Sequence, residues 1–274
     1  MRKRKRNLVL IVIYVVAFGM FEGGAFLGSS EPYEEEVSTS PDVNYLDTVE
    51  IPGDITFGNM EIIRNDTILF NSYGYSVMRM YDVSDPSNIE DLGESEAFVG
   101  TEVMEYYEDR LYVSDFFGIQ AYDMSDLNNP VLDKTYGGAQ AQRIEVMNGL
   151  LYAIYRPLGG NFGIFNISKS GSEALIANWS APSADINFEH LSVSADGTAL
   201  LGYQDGIMLL NVTNATNPTF IGDIESPEFP ESIGYSQGFL YLSDTRGLRV
   251  YDTTDSSNIT QVGDYVGREY IYNK

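Results

Sequence analysis

The chain contains no cysteine, one histidine, one tryptophan, and only 16 basic residues against 40 acidic ones among its 274. Without cysteine, disulfide staples and thiolate metal sites are both excluded. A lone histidine, His190, leaves no set of imidazoles from which one chain builds a zinc, iron or copper centre. The formal charge of −24 sets the surface against polyphosphate, and no basic patch beyond the first six residues offsets it, so nucleic acid is excluded as a partner. After residue 43 no segment sustains the i, i+3, i+4, i+7 apolar spacing of a helix. The acidity itself fits two settings, a high-salt medium or an ordinary acidic exported domain, because ionic screening governs both.

The first thirty residues break this pattern. Arg2, Lys3, Arg4, Lys5 and Arg6 precede an uncharged apolar run from Leu8 to Phe21. A positive end followed by a short apolar run is the form of an export signal. Fourteen residues suit a signal, whereas a full span takes about 20. Residues 8–28 reach that length with one carboxylate, Glu22, so an uncleaved N-terminal anchor is the alternative and the one route to a membrane. Either way the basic end stays in the cytoplasm and the remainder is exported, to the extracellular space or the outer face of the cell membrane. Residues 31–43 carry Glu31, Glu34, Glu35 and Glu36 and then Ser38, Thr39, Ser40 and Pro41, a linker with almost nothing apolar to bury.

From residue 44 to the end the sequence repeats. An aromatic or aliphatic residue followed by Asp or Asn occurs at Tyr81-Asp82, Tyr122-Asp123, Phe165-Asn166, Leu210-Asn211 and Tyr251-Asp252. Two positions on, each copy has a hydroxyl: Ser84, Ser125, Ser168, Thr213 and Thr254. Six positions on, four copies have asparagine: Asn88, Asn129, Asn217 and Asn258. Between these corners lie short runs of Val, Ile, Tyr and Phe bounded by turn residues, four per copy, as in Val103–Tyr107, Arg110–Ser114, Ile119–Met124 and Val131–Tyr136. Four strands recurring at about 40–45 residues form the blade of a β-propeller. The expected fold is therefore all-β, with repeats at about 58–102, 103–143, 144–189, 190–232 and 233–274. Tyr45–Glu50 resembles a fourth strand and Glu269–Tyr272 a first strand. These two either complete a partial sixth blade or stand as spare strands on a five-bladed ring.

The segments YDVSDPSNI (Tyr81–Ile89), YDMSDLNNPV (Tyr122–Val131) and LRVYDTTDSSNI (Leu248–Ile259) resemble LVIVD repeats, which build propellers in surface proteins of archaea and bacteria. The likeness covers roughly residues 44–274. It is weakest in the third copy, where Lys169-Ser170-Gly171 replaces the Asp-Pro-Ser corner. Ser194-Ala195-Asp196-Gly197 is similar to the Asp-Gly hairpin of YVTN-type propellers. The resemblance implies an exported propeller and no reaction.

Chemistry-bearing residues are few. Asp82, Asp123, Asn166, Asn211 and Asp252 recur because the repeat recurs. Asp and Asn serve equally there if the side-chain oxygen accepts backbone N–H bonds in an Asx-turn, so these are structural corners and no catalytic residue is assigned. Asp115 and Asp244 follow matching strands and have a turn role on the same argument. His190 is a structural histidine, since no G-x-S-x-G elbow supplies it with a serine. A calcium loop needs several oxygen ligands, of which Asp82-Val83-Ser84-Asp85 is a fragment, so neither metal nor cofactor is assigned. Six N-x-[ST] sequons, at Asn65, Asn166, Asn178, Asn211, Asn214 and Asn258, are compatible with glycosylation after export.

The expected function is a non-catalytic binding or scaffold module for protein or glycan partners at the cell surface. The alternative is a polysaccharide hydrolase or lyase with paired carboxylates. If residues 1–30 direct export, their deletion leaves the protein in the cytoplasm. Fractionation checks this, and export of the truncated chain would refute it.

Overall fold

In a computed structural model, the described residues are 56–63, 67–73, 78–85, 87–95, 101, 103–115, 117–127, 129–136, 140–155, 161–226, 229–255 and 258–266. The export segment 1–30, the linker 31–43, the strand-like segments Tyr45–Glu50 and Glu269–Tyr272, and the Asn65 sequon lie outside them. Among the described residues no helix is long and apolar enough to cross a membrane. The one helical turn among them is a 3-10 segment, Gly171–Glu173.

Among the described residues, twenty strands form five four-stranded antiparallel meanders, each with its strands hydrogen-bonded in chain order. The first sheet holds β1 (Thr56–Ile63), β2 (Thr67–Tyr73), β3 (Met78–Asp82) and β4 (Glu90–Ser95). The second holds β5 (Val103–Tyr107), β6 (Arg110–Asp115), β7 (Gly118–Asp123) and β8 (Val131–Tyr136). The third holds β9 (Ala141–Met147), β10 (Leu150–Tyr155), β11 (Asn161–Asn166) and β12 (Leu175–Ser180). The fourth holds β13 (Phe188–Val193), β14 (Thr198–Tyr203), β15 (Gly206–Asn211) and β16 (Thr219–Glu225). The fifth holds β17 (Ser232–Ser236), β18 (Phe239–Asp244), β19 (Gly247–Asp252) and β20 (Thr260–Val266). The expected all-β propeller class is the one found. The third and fourth sheets begin at Ala141 and Phe188, slightly before the repeat limits read from the sequence, because those two residues are themselves buried and open their strands.

The chain divides into two compact units, Met1–Glu96 and Ala97–Lys274. The first contains the first sheet, in which Met78, Met80 and Tyr81 of β3 are buried. The second contains the other four sheets, whose first strands β5, β9, β13 and β17 lie side by side in chain order. Its core is the set of layers between successive sheets. Val103, Tyr112 and Ala121 of the second sheet pack with Ile144, Val146 and Leu151 of the third. Tyr152, Phe162 and Ile164 of the third meet Phe188, Val193 and Leu201 of the fourth. Leu200, Ile207 and Leu209 of the fourth meet Leu240, Leu242 and Tyr251 of the fifth. Aromatic side chains bind these layers across sheets: Tyr136 meets Phe165 edge-on at 6.4 Å, and Trp179 stacks on Phe188 at 6.2 Å. Strand alternation delivers this in β10, β11, β14 and β15, which turn apolar residues to both of their faces and are covered on both.

All five sheets share an irregularity that the sequence pattern did not announce. Each fourth strand carries one extra residue opposite the end of its third strand, at Leu92, Asp133, Ile176, Ile221 and Val262. Such a bulge bends the outer strand and increases its twist.

Tight two-residue hairpins join the first and second strands in three sheets. Both residues of each have positive φ: Glu108 (48°) and Asp109 (58°), Asn148 (53°) and Gly149 (78°), and Gln237 (53°) and Gly238 (83°). This is the turn whose twist matches that of its strands. Glutamate is poorly suited to the left-handed region, where asparagine is tolerated. Glu108→Asn is expected to raise stability by about 0.5–1 kcal/mol. Chemical denaturation reads this, and an unchanged or lower midpoint would contradict it.

Candidate functional site

The five repeat corners have one geometry. The backbone N–H two residues on donates to the side-chain oxygen: Ser84 to Asp82 (2.8 Å), Ser125 to Asp123 (2.8 Å), Ser168 to Asn166 (2.9 Å), Thr213 to Asn211 (2.9 Å) and Thr254 to Asp252 (2.9 Å). The hydroxyls of Thr213 and Thr254 add bonds of 2.6 Å to the same oxygens. The Ser84 bonds hold the Asp82 carboxyl below its usual range, and the Thr254 hydroxyl and N–H do so for Asp252. Asp and Asn offer the same acceptor, which accounts for their interchange. The later asparagine closes the corner: the N–H groups of Asn88, Asn129, Asn217 and Asn258 donate to the carbonyls of Asp85, Asp126, Asn214 and Asp255 at 2.9–3.1 Å.

A further bond ties each corner in the second unit to the hairpin below it. The residue after the Asp or Asn donates its N–H to a hairpin carbonyl: Met124 to Asp109 (2.9 Å), Ile167 to Gly149 (3.2 Å), Val212 to Gly197 (2.8 Å) and Thr253 to Gly238 (2.9 Å). In the fourth and fifth sheets the contact is close. A Cβ placed on Gly197 or Gly238, both at positive φ, would fall 2.5 Å from the Cγ2 of Thr213 or Thr254. The divergent third corner keeps its Asx-turn and then takes the 3-10 turn. There the Ile167 carbonyl accepts Lys134 Nζ and the Tyr136 hydroxyl from β8 (both 3.0 Å), and the Ser170 hydroxyl donates to the Thr135 carbonyl (3.2 Å).

Asp115 and Asp244 occupy matching turns between second and third strands, and both are buried. Each accepts a backbone N–H two residues on, from Phe117 (2.7 Å) and Arg246 (2.8 Å). Burial pushes the Asp115 carboxyl up against the bonds from Phe117 and Gly118. Asp244 instead forms an ion pair with Arg249, at the β19 position that corresponds to Gln120 in β7. His190 is half-buried on β13, with its ring 6.2 Å from Phe229 and its Cβ where a Cβ on Gly202 would come within 2.9 Å. Burial and the nearby Arg143 keep the imidazole neutral to a lower pH than usual. Of the sequons, Asn166, Asn211, Asn214 and Asn258 lie on corners, and Asn178 is exposed on β12.

Two sites came from side-chain placement that repeat arithmetic does not supply. Glu145 on β9 accepts the Val193 N–H of β13 at 2.7 Å, and burial raises its carboxyl from 4.5 to about 7. Tyr203 donates to Asp223 at 2.8 Å, with Asp205 and Glu225 nearby. Burial raises the Asp223 carboxyl, and those two acids add to the effect against the Tyr203 bond.

The fourth and fifth sheets enclose a cleft of about 460 Å3. Its lining includes Asp196, Thr198, Thr213, Tyr235, Gln237 and Thr254, with Ile221 as an apolar element and the corner Asn211 at its side. The Tyr235 hydroxyl crosses between sheets to donate to Asp196 Oδ2 at 3.0 Å, while Asp196 Oδ1 accepts the Ser194 hydroxyl and the Thr198 N–H. Burial works to raise the Asp196 carboxyl, but the bonds from Ser194, Tyr235 and Thr198 outweigh it and hold it low. Polar, mostly uncharged groups dominate this cleft.

No known family profile matches the sequence, and no curated protein does. Solved structures share the fold. The computationally designed protein Ika8 superposes with a TM-score of 0.57 at 8% identity, covering 78% of this chain and 62% of that one. A functionally unknown protein from Desulfotomaculum acetoxidans gives 0.58 at 12%, covering 78% and 71%. The periplasmic gluconolactonase PpgL of Pseudomonas aeruginosa gives 0.56 at 13%, covering 74% and 68%. The chain spans less than two thirds of the Ika8 length. These likenesses define a propeller-like fold and extend no further.

Two outcomes follow. Asp123→Asn is expected to leave stability nearly unchanged, whereas Asp123→Ala costs about 1 kcal/mol through the lost bond. Equal loss in both variants, reproduced by a chelator on the wild type, would mean a cation in place of the turn. Glu145, with its folded value raised, contributes stability below about pH 4.5 that is lost as pH rises through about 7. Glu145→Gln keeps an acceptor for Val193, removes this slope, and above pH 7 gains on the order of 2 kcal/mol. Denaturant melts across pH 4–8 test it, and a slope unchanged in the variant would reject it.

Proposed function

We propose that this chain is an exported, surface-associated propeller of the LVIVD-like kind that binds protein or glycan partners and carries out no reaction. The observation that carries this reading is the cleft, whose lining includes one carboxylate, Asp196, with both oxygens engaged by its own fold. Glycoside cleavage uses two carboxylates, one to protonate the leaving group and one to attack or to activate water. The recurring Asp and Asn residues hold backbone turns and are spent on the fold. Export is supported by the basic run and apolar stretch of residues 2–21, and the acidic surface supports solubility outside the cell.

One grouping favours the hydrolase or lyase reading: Asp223 with its raised carboxyl, beside Asp205 and Glu225. A single experiment separates the two. The protein is incubated with a panel of soluble polysaccharides, and reducing ends and unsaturated uronates are followed while bound chains are recovered by pull-down. Retention of a glycan or a protein partner without new ends or unsaturation is the expected result. Product release that Asp223→Asn abolishes would overturn it.

A further inference from the structure

The cleft between the fourth and fifth sheets has a chemistry that selects its occupant, and we infer that it is the seat of a neutral saccharide unit. This deepens the binding reading above and rests on it.

Among the described residues the lining contains no lysine or arginine, so phosphate, sulfate or carboxylate groups would enter without a counter-charge. Its one acid, Asp196, is already bound by Ser194, Thr198 and Tyr235, which leaves little capacity to strip water from a cation. Its apolar part is small: Ile221, two glycines and the ring of half-buried Tyr235. Such a wall does not repay transfer of a wholly apolar ligand. What remains is a neutral polar surface around one aromatic ring: Thr198, the Gln237 amide, the Asn211 amide N–H groups, and the Thr213 and Thr254 hydroxyls, whose protons go to Asn211 and Asp252 and which keep acceptor capacity. A sugar matches both parts, with hydroxyl groups for the polar lining and an apolar ring face for Tyr235. The cleft volume of about 460 Å3 lies within the ordinary range of small-ligand sites.

Rigidity is built in. Gly197 and Gly238 press the two hairpins onto Thr213 and Thr254, and the Val212 and Thr253 N–H groups bond to those hairpins. The Tyr235–Asp196 bond then fixes one sheet against the next across the cleft. A preformed polar site loses little entropy on binding, which matters most for weak ligands such as sugars.

The test is a titration of the full 15N-labelled chain, made without glycosylation machinery. Chitobiose and mannobiose serve as neutral probes and a glucuronic acid disaccharide as the anionic control. At least one neutral probe is expected to shift the amide signals of Thr198, Thr213, Gln237 and Thr254, and the anionic probe to bind about tenfold more weakly. Tyr235→Ala is expected to weaken binding about tenfold and Tyr235→Phe, which keeps the ring, about threefold or less. Should Tyr235→Ala fail to fold, Gln237→Asn, which suits the left-handed backbone there, shortens a reach into the cleft and is expected to weaken binding about threefold. Shifts confined to another surface, no binding by either neutral probe at about 50 mM, or equal binding of the anionic probe would each overturn the inference. A protein partner recovered by pull-down under those conditions would leave the broader binding-module reading standing.

Discussion

The second unit depends on a backbone hydrogen bond at each repeat corner, from the residue after the Asp or Asn to the hairpin carbonyl beneath it. The third strand must end, turn and start a fourth strand, and the bond fixes where it does so. The Asx-turn aims the donor at the hairpin, and the same residue turns its side chain inward: Met124 and Val212 are buried, as is Thr253. An unpaired amide at that depth would cost about 1–3 kcal/mol, so each corner is tied to each hairpin by necessity. The bulge in every fourth strand sits beside the corner, and a strand leaving a fixed turn with one extra residue follows a constrained path.

The same constraint shapes the cleft between the fourth and fifth sheets. In the fourth and fifth sheets the hairpin residue is glycine and the corner hydroxyl is threonine, so hairpin and corner close on each other. Between two such closed corners lies a polar gap, bridged by Tyr235 and Asp196. The corresponding position in the third sheet is Val146, part of an apolar layer. An aromatic hydroxyl there, in place of an aliphatic side chain, goes with a polar gap instead of an apolar layer.

The architecture was legible because it is periodic. A marker that recurs every 41–45 residues locates strand ends without knowledge of contacts, and the strands of the second copy lie within a residue of where alternation puts them. The Asx corners were legible for a chemical reason, since only a shared acceptor explains Asp and Asn at one position. The bulges left no trace, because the extra residue is Leu, Asp, Ile or Val and imposes no composition of its own. Glu145 looked like any strand carboxylate among 40 acidic residues, and its burial and its reach to Val193 on the first strand of the next sheet set it apart. The cleft joins residues from about 196 to 254, so it exists only once two sheets are side by side. The third corner read as degenerate, yet Ile167 and the altered Ser170 both bond to the outer strand of the preceding sheet.

Native-state hydrogen exchange tests the central claim most directly, because it reads the corner bonds one amide at a time. The account predicts that the amides of Met124, Ile167, Val212 and Thr253 exchange as slowly as those of the middle strands, and open only with the unit as a whole. Fast exchange at these four amides while the strands stay protected would contradict it, and would mean that the corners are ornaments on a fold held together elsewhere.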